Sequence, residues 1–507
     1  MQTNSIFAVL ILLISSFFAD VEVLLRTKDG NEIAGTLAIT TIKMKTTLGE
    51  LSIDADAITN IHFGKPAIVT RRDGIKIEGE MLTDKFVIKT KSGMQTIQAS
   101  KLSRFATQKP AKPIPGATVD GMHTNGMSYH VRVPAVFDIK KTYDTIVLFH
   151  GSNMNSRAYL DTLVATWPAI SDECIIIGIN GEYRVKDSPD DNPAYNYTYV
   201  NFVGKSTFTG FPGTDRESPA LVAELLQQLK TQLPIKRFFV GGHSQGGFLT
   251  YSVLMNYPDL IAGAFPIAGG VIFQCEPTAY ADTKIRELQR KVPVAIVHGD
   301  TDAVVSPSMS KDAYTNFLDD GFLSIRLFTH KTAAHMYGLL PVDEAIRWIR
   351  GMASDRPEEL IKFAQLQFDA GSYRDAAEAL TRARNLDKAG KYKTSIASIY
   401  SQVTKLAEPE ALSFAEQIIK NQDSSWVDGF FAFRERFGAL DCARPALDAF
   451  AKLRAAHREP AEKLYNEALG DFQNGKKSDA YAKCKEIIDK YYASPRYARA
   501  KKWQPEK

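Results

Sequence analysis

Residues 237–247, RFFVGGHSQGG, run from an apolar segment through a glycine-rich turn into FLTYSVLMN at 248–256. Within them Gly242-His243-Ser244-Gln245-Gly246 fits the pattern G-x-S-x-G. The pattern says little by itself, since glycine and serine are common, but here it has the strand–turn–helix setting it requires. So sharp a turn needs small flanking residues, which Gly242 and Gly246 supply, and Gly247 lets the helix pack closely on neighbouring strands. Ser244 is therefore expected at the C-terminal end of a strand, on strained backbone with its hydroxyl exposed. A helix N-terminus behind it favours developing negative charge.

On either side the chain alternates apolar runs with amphipathic stretches. TIVLFHG (145–151), CIIIGIN (174–180), RFFVGG (237–242), AGAFPIAGG (262–270), VAIVHGD (294–300) and IRLFTH (325–330) read as strands buried on both faces of a sheet. Helical stretches at 217–232, 246–256, 309–319 and 341–351 separate several of them. This alternation predicts a doubly wound, mostly parallel α/β domain over 117–352.

A serine hydroxyl is a poor nucleophile without a base. Asp302 follows the strand VAIVHGD, in a loop where a carboxylate can reach a histidine. His335 lies in HKTAAHMYG, after IRLFTH and before the last helix of the domain. Ser244, Asp302 and His335 thus occur in the order nucleophile, acid, histidine. Each lies beyond the C-terminal end of a strand, where open α/β sheets bind ligands. Asp300 and His330 compete for the last two roles. The spacing H-G-x-x-D favours Asp302, and the loop position favours His335. Two backbone N–H groups are candidates to hold an oxyanion: Gln245, directly after the serine, and Ser152, in LFHGSNMN. His150 and His298, at strand ends before glycine, read as packing or loop-shaping residues. His243 is expected to face away from substrate.

On HG after the early strand, GHSQGG at the turn and HGDTDAVV around the acid, residues 117–352 resemble the esterase branch of the α/β-hydrolase superfamily. The similarity is to the phospholipase/carboxylesterase, dienelactone hydrolase and polyhydroxybutyrate-depolymerase-like group. It implies Ser244 as nucleophile, His335 as base, Asp302 as orienting acid, and the amides of Ser152 and Gln245 as oxyanion donors. It implies no metal and no organic cofactor. The long aromatic loop 183–215 departs from the minimal fold and is expected to form a lid or part of the substrate pocket.

The remainder of the 507 residues frames this domain. Residues 1–19, apolar from Ile6 to Ala19 but for Ser15 and Ser16, read as an export signal, with an uncleaved anchor as the alternative. This implies a secreted or periplasmic protein with no integral membrane domain beyond the signal. Residues 23–61 and 67–105 align without a gap at an offset of 44. Residues 20–106 are therefore expected to hold two tandem β repeats, each a small, strongly bent SH3-like or Sm-like sheet. TQKPAKPIPG (107–116) is an extended linker. Residues 353–507 are helical, with two segments similar to tetratricopeptide repeats turning at Gly371 and Gly475, and offer a surface for a protein partner. The net charge of +4 gives no reason to expect a nucleic-acid partner. The four cysteines lack a CxxC pair, so no zinc site is indicated; free thiols are expected rather than a Cys442–Cys484 disulfide.

The chemistry expected is hydrolysis of small or polymer-linked carboxylic esters, such as acylated polysaccharides or polyester fragments, through an acyl-enzyme on Ser244. A peptidase of prolyl-oligopeptidase type, with the same order of residues, is the alternative enzyme. A non-catalytic envelope scaffold is the alternative from outside enzymology.

Overall fold

The computed structural model describes residues 21–503, apart from 30, 72–74, 109–112, 124, 126, 186–187, 190–191, 198–217, 272–286, 289, 320, 323, 421–422 and 495. The signal-like stretch 1–19 and residues 198–215 of the aromatic loop lie outside the described residues. The chain forms two compact units, 1–350 and 351–507.

The first unit begins with ten short strands. β1 (Glu22–Thr27), β2 (Glu32–Leu37), β3 (Thr41–Thr46), β4 (Gly49–Asp54) and β5 (Ile58–His62) come first. They are followed by β6 (Ala67–Arg71), β7 (Lys76–Met81), β8 (Lys85–Thr90), β9 (Gly93–Gln98) and β10 (Leu102–Gln108). The internal repeat is present strand for strand, but pairing crosses between its copies. All ten strands form one sheet in the order β4-β3-β7-β6-β5-β10-β1-β2-β8-β9. Thr36 and Leu37 of β2 pair with Lys89 and Ile88 of β8, while Met44 and Lys45 of β3 pair with Met81 and Glu80 of β7. Residue alternation fixes which face of a strand is buried, not which strand lies beside it. The two separate small sheets expected from the repeat are therefore replaced by one sheet shared between the copies. Leu25, Ile42, Ile58, Val69, Phe86 and Phe105 share one core drawn from both copies.

The second sheet carries the candidate site. Its strands are β11 (Thr118–Met122), β12 (Ser128–Arg132), β13 (Tyr143–Phe149), β14 (Ile175–Ile179), β17 (Ile235–His243), β18 (Gly263–Ile267), β19 (Val294–Gly299) and β20 (Ile325–His330). β15 (Tyr183–Arg184) and β16 (Tyr195–Asn196) form a separate small hairpin. The sheet order is β11-β12-β14-β13-β17-β18-β19-β20. β13, β14 and β17 to β20 run parallel, and β11 and β12 add an antiparallel edge. β14, β18 and β19 are buried at every residue, as their unbroken apolar runs predict. Each large side chain so buried contributes roughly 1.5–3 kcal/mol, so the centre of the sheet is a rigid base for the loops at its C-terminal edge. Between these strands lie α1 (Ser156–Thr166), α2 (Pro168–Glu173), α3 (Ser218–Gln232), α4 (Gln245–Asn256) and α5 (Pro307–Asp319). α6 (Val342–Met352) follows β20.

The second unit is helical: α7 (Pro357–Asp369), α8 (Tyr373–Leu386), α9 (Lys393–Lys420), α10 (Val427–Phe437), α11 (Arg444–Gln473), α12 (Lys477–Lys490) and α13 (Tyr497–Lys502). Gly371 and Gly475, both at φ 75°, end α7 and α11 in the left-handed conformation that glycine adopts without strain. Cys442 and Cys484 are free thiols. Among the described residues, no helix is long and apolar enough to cross a membrane.

Candidate active site

β17 ends at His243, and α4 begins at Gln245, leaving Ser244 alone at the bend. Its backbone is held at φ 55°, ψ −117°, a conformation that costs a non-glycine residue about 1–3 kcal/mol. Hydrogen bonds enforce it. Ser244 N–H donates to Ile267 O of the adjacent strand (2.9 Å), and Ser244 O accepts from the amides of Gly247 (2.8 Å) and Phe248 (3.1 Å). The flanking glycines are required by close approach to β13. A Cβ on Gly242 or Gly246 would lie 2.6 Å or 2.3 Å from the carbonyl oxygen of Phe149. Asn153 and Ala268, also at positive φ, likewise follow strand ends of this sheet, so backbone strain clusters at one edge.

Asp302 and His335 meet across two loops. His335 Nδ1 donates to Asp302 Oδ2 over 2.6 Å, and the carboxylate is fully buried. Asp302 Oδ1 accepts from the amides of Val304 (2.8 Å) and Val305 (2.9 Å). Burial alone would raise this carboxyl's pKa. The bonds from His335, Val305 and Val304 outweigh burial and hold it below the usual carboxylate value. The competing residues are placed differently. Asp300 lies 3.5 Å from Lys311 Nζ, and His330 ends β20 with its side chain exposed.

Ser244, His335, Gly151 and Ser152 line one cavity of about 520 Å³. The loop bearing Ser152 is clamped from below. His150 is fully buried; its Nδ1 donates to Gly151 O (2.7 Å), and its Nε2 accepts from Gly181 N–H (3.1 Å). Burial lowers its pKa to about 4, so the ring is neutral and loop-shaping, as its position suggested. Asn153 and Asn196 exchange hydrogen bonds of 3.0 and 2.8 Å. Gln245 is the first residue of α4, which puts its N–H at the helix N-terminus beside Ser244. Its side chain is engaged with the backbone of Tyr197.

His243 corrects an expectation. It does not turn away but lines the cavity, with its ring centroid 4.4 Å from that of His335. Its Nδ1 is 2.8 Å from the Tyr159 hydroxyl. Burial, with the neighbouring His335 adding to it, pushes its pKa down to about 3, so it is neutral. Tyr159 and Tyr337 also line the cavity, with ring centroids 5.0 Å apart. Nothing in the sequence marked these two tyrosines, because only the folded chain brings α1 and the loop before α6 to the elbow. No Asp, Glu, Lys or Arg is among the described lining residues. Among the described residues, no cluster of His, Cys, Asp and Glu could hold a metal ion.

Residues 135–336 match the phospholipase/carboxylesterase family. The chain is 25% identical over 136 residues to acyl-protein thioesterase 1 of Eremothecium gossypii, covering 26% of this chain and 56% of that protein. It is 26% identical over 150 residues to acyl-protein thioesterase 1 homolog 2 of Dictyostelium discoideum, covering 26% of this chain and 65% of that protein. The chain thus spans less than two thirds of the length of either relative. Among solved structures it is similar to Zea mays acyl-protein thioesterase 2, with 17% identity and a TM-score of 0.34 over 45% of this chain and 99% of that one. A thermostable esterase matches with 16% identity and a TM-score of 0.33 over 66% of this chain and 90% of that one. The family match over residues 135–336 and the strand order together support an α/β-hydrolase of phospholipase/carboxylesterase type in the central region of this chain.

Proposed function

We propose that the protein is a serine hydrolase that cleaves carboxylic esters through an acyl-enzyme on Ser244. The observation that carries this reading is the 2.6 Å His335–Asp302 bond at the cavity into which the strained Ser244 turn also opens. In the proposed reaction His335 removes the Ser244 proton through Nε2 as the oxygen attacks the ester carbonyl. Asp302 holds the ring and balances the imidazolium that forms. The amides of Ser152 and Gln245 stabilise the tetrahedral oxyanion, each such donor lowering the barrier by roughly 3 kcal/mol. The protonated His335 gives its proton to the departing alcohol, then activates water against the acyl-enzyme.

The described lining supports a neutral, apolar acyl group. Val304 and Met154 line the cavity with exposed side chains, and Met336 and Leu339 flank the lining residues Tyr337 and Gly338, themselves exposed. A charged acyl group would enter such a site without a partner, at a large desolvation cost. The names of the relatives extend the substrates worth testing from oxygen esters to thioesters. On the apolar segment 6–19, we place the reaction outside the cytoplasm, on acylated polysaccharide or polyester-derived esters, and assign the C-terminal helices to a protein partner.

A fluorophosphonate probe tests the nucleophile. Wild-type protein is expected to label once per chain, and Ser244→Ala not at all. Folded wild-type protein that stays unlabelled leaves the scaffold reading. Faster turnover of aminoacyl amides than of short acyl esters would favour a peptidase.

A further inference from the structure

Asp302 has a second histidine. His298 is on β19, four residues before the carboxylate, with its side chain almost fully buried. Its Nε2 lies 3.2 Å from Asp302 Oδ2, the oxygen that also receives His335 Nδ1. The same Nε2 lies 2.9 Å from the carbonyl oxygen of Val305. On the other side of the ring, Nδ1 is 2.6 Å from Ser310 Oγ, itself buried and 3.1 Å from Gly269 O.

These contacts assign the tautomer. A carbonyl and a carboxylate are both acceptors, so the nitrogen facing them must carry the hydrogen. Burial lowers the pKa of His298 and keeps it neutral, which leaves Nδ1 as an acceptor. With Nε2 protonated, Nδ1 needs a donor, and the Ser310 hydroxyl at 2.6 Å supplies it in place of its alternative acceptor, Gly269 O at 3.1 Å. The chain Ser310 O–H to His298 Nδ1, then His298 Nε2–H to Val305 O and Asp302 Oδ2, has a single direction.

We propose that His298 is a positioning residue, which fixes Asp302 for His335 by donating its Nε2–H to Oδ2. Two amides hold Oδ1, His335 Nδ1 holds Oδ2, and His298 Nε2 lies 3.2 Å from the same Oδ2, so rotation of the carboxylate about its bond to Cβ would move it away from these partners. Being neutral, His298 adds this restraint without a second positive charge to compete with the imidazolium forming on His335. The hydrogen bond to Val305 O ties the loop after β19 back onto the strand that carries it. This inference rests on the serine-hydrolase reading of the site.

Two substitutions in the full-length chain separate the two ring nitrogens. The amide nitrogen of His298→Asn falls near Nδ1 and does not reach Asp302, whereas that of His298→Gln falls near Nε2 and can donate to it. With p-nitrophenyl butyrate as substrate, H298N is expected to lose kcat by about 10-fold or more with KM within twofold, since small misplacements of reacting groups can cost up to about 100-fold. H298Q is expected to recover most of the kcat. If H298N does not fold, Ser310→Ala decides, with an expected several-fold fall in kcat at unchanged KM. Wild-type kcat in H298N, or in a folded S310A when H298N cannot be made, overturns the role, as do equal losses in Asn and Gln variants that melt like the wild type. Wild-type protein inert to both ester and fluorophosphonate overturns the serine-hydrolase reading and this inference together; active wild-type protein with an indifferent H298N overturns the inference alone.

Discussion

His335 Nδ1 and Asp302 Oδ2 are joined by a 2.6 Å hydrogen bond whose acceptor is fully buried and whose other oxygen is held by two backbone amides. The carboxylate can only accept, so the bond places the hydrogen on Nδ1 and leaves Nε2 free to take a proton. Asp302→Asn preserves the shape but can present an N–H to Nδ1, which selects the other tautomer. We expect kcat to fall by about 10⁴ with KM little changed. Ester turnover in the folded variant checks this; a loss below about tenfold would remove Asp302 from its role.

Three buried histidines make the first unit sensitive to acid. His150 is held at about 4 and His243 at about 3, each chiefly by burial, and His298 is lowered for the same reason. In the unfolded chain all three take up a proton near 6.5. Between that value and the lower folded ones, the unfolded state binds more protons, so stability is full above about pH 6.5 and falls as pH drops. His150 alone accounts for about 3 kcal/mol at 1.36 kcal/mol per unit. Urea midpoints at pH 7.5 and pH 5 measure the effect, and the midpoint should be clearly lower at pH 5. An unchanged midpoint would mean that these rings are not buried neutral. Asp302, held below its ordinary value, adds its own loss only at still lower pH, as its native partners are given up.

Much of the site can be read from the chain because its parts are local. The pattern around Ser244 is a steric requirement within five residues, and the bend is met as expected, with Phe149 O as the neighbour that excludes larger residues at 242 and 246. Asp302 and His335 could be sought at strand ends because six parallel strands were visible as apolar runs. What could not be read depends on distant chain. β11 and β12, the antiparallel strands at one side of the sheet, are not uniformly buried, so they lack the apolar run that marks the others. His243 lines the cavity with its Nδ1 2.8 Å from the hydroxyl of Tyr159, 84 residues earlier, a neighbour that only the folded chain supplies. The crossing of β2 onto β8 and β3 onto β7 leaves the alternation of each strand unchanged, and so left no trace in the sequence.

That crossing makes a paired prediction. Gly35 and Gly79 occupy equivalent positions in the two copies, and a Cβ on either would lie 2.4 Å from a backbone oxygen of the other copy, Lys89 O or Lys45 O. Backbone oxygens within a sheet cannot swing aside as a side-chain tip can. Gly35→Ala and Gly79→Ala should therefore each destabilise the first unit, by roughly 1–3 kcal/mol, and by similar amounts. Urea unfolding of the full-length chain, followed by fluorescence and far-ultraviolet circular dichroism, tests it; an alanine tolerated at either position would mean that the strands do not cross there.

Gly470 and Gly475 lie five residues apart, and alanine should act on them in opposite directions. Gly470 is inside α11 with helical backbone, and a Cβ there would meet nothing within 4 Å. Alanine removes backbone freedom from the unfolded chain and no native contact opposes it, so Gly470→Ala should stabilise the helical unit by about 0.5–1 kcal/mol. Gly475 also faces open space, but its φ of 75° is left-handed. There the Cβ strains against its own residue's backbone, at about 1–2 kcal/mol. Gly475 N–H donates to Phe472 O (3.1 Å), and Lys476 N–H donates to Asp471 O (2.8 Å), so the turn cannot relax without giving up these bonds. Gly475→Ala should therefore lower the stability of this unit. Circular dichroism at 222 nm through a thermal melt reads both variants against the wild type. Equal shifts in one direction would mean that α11 does not end in this turn.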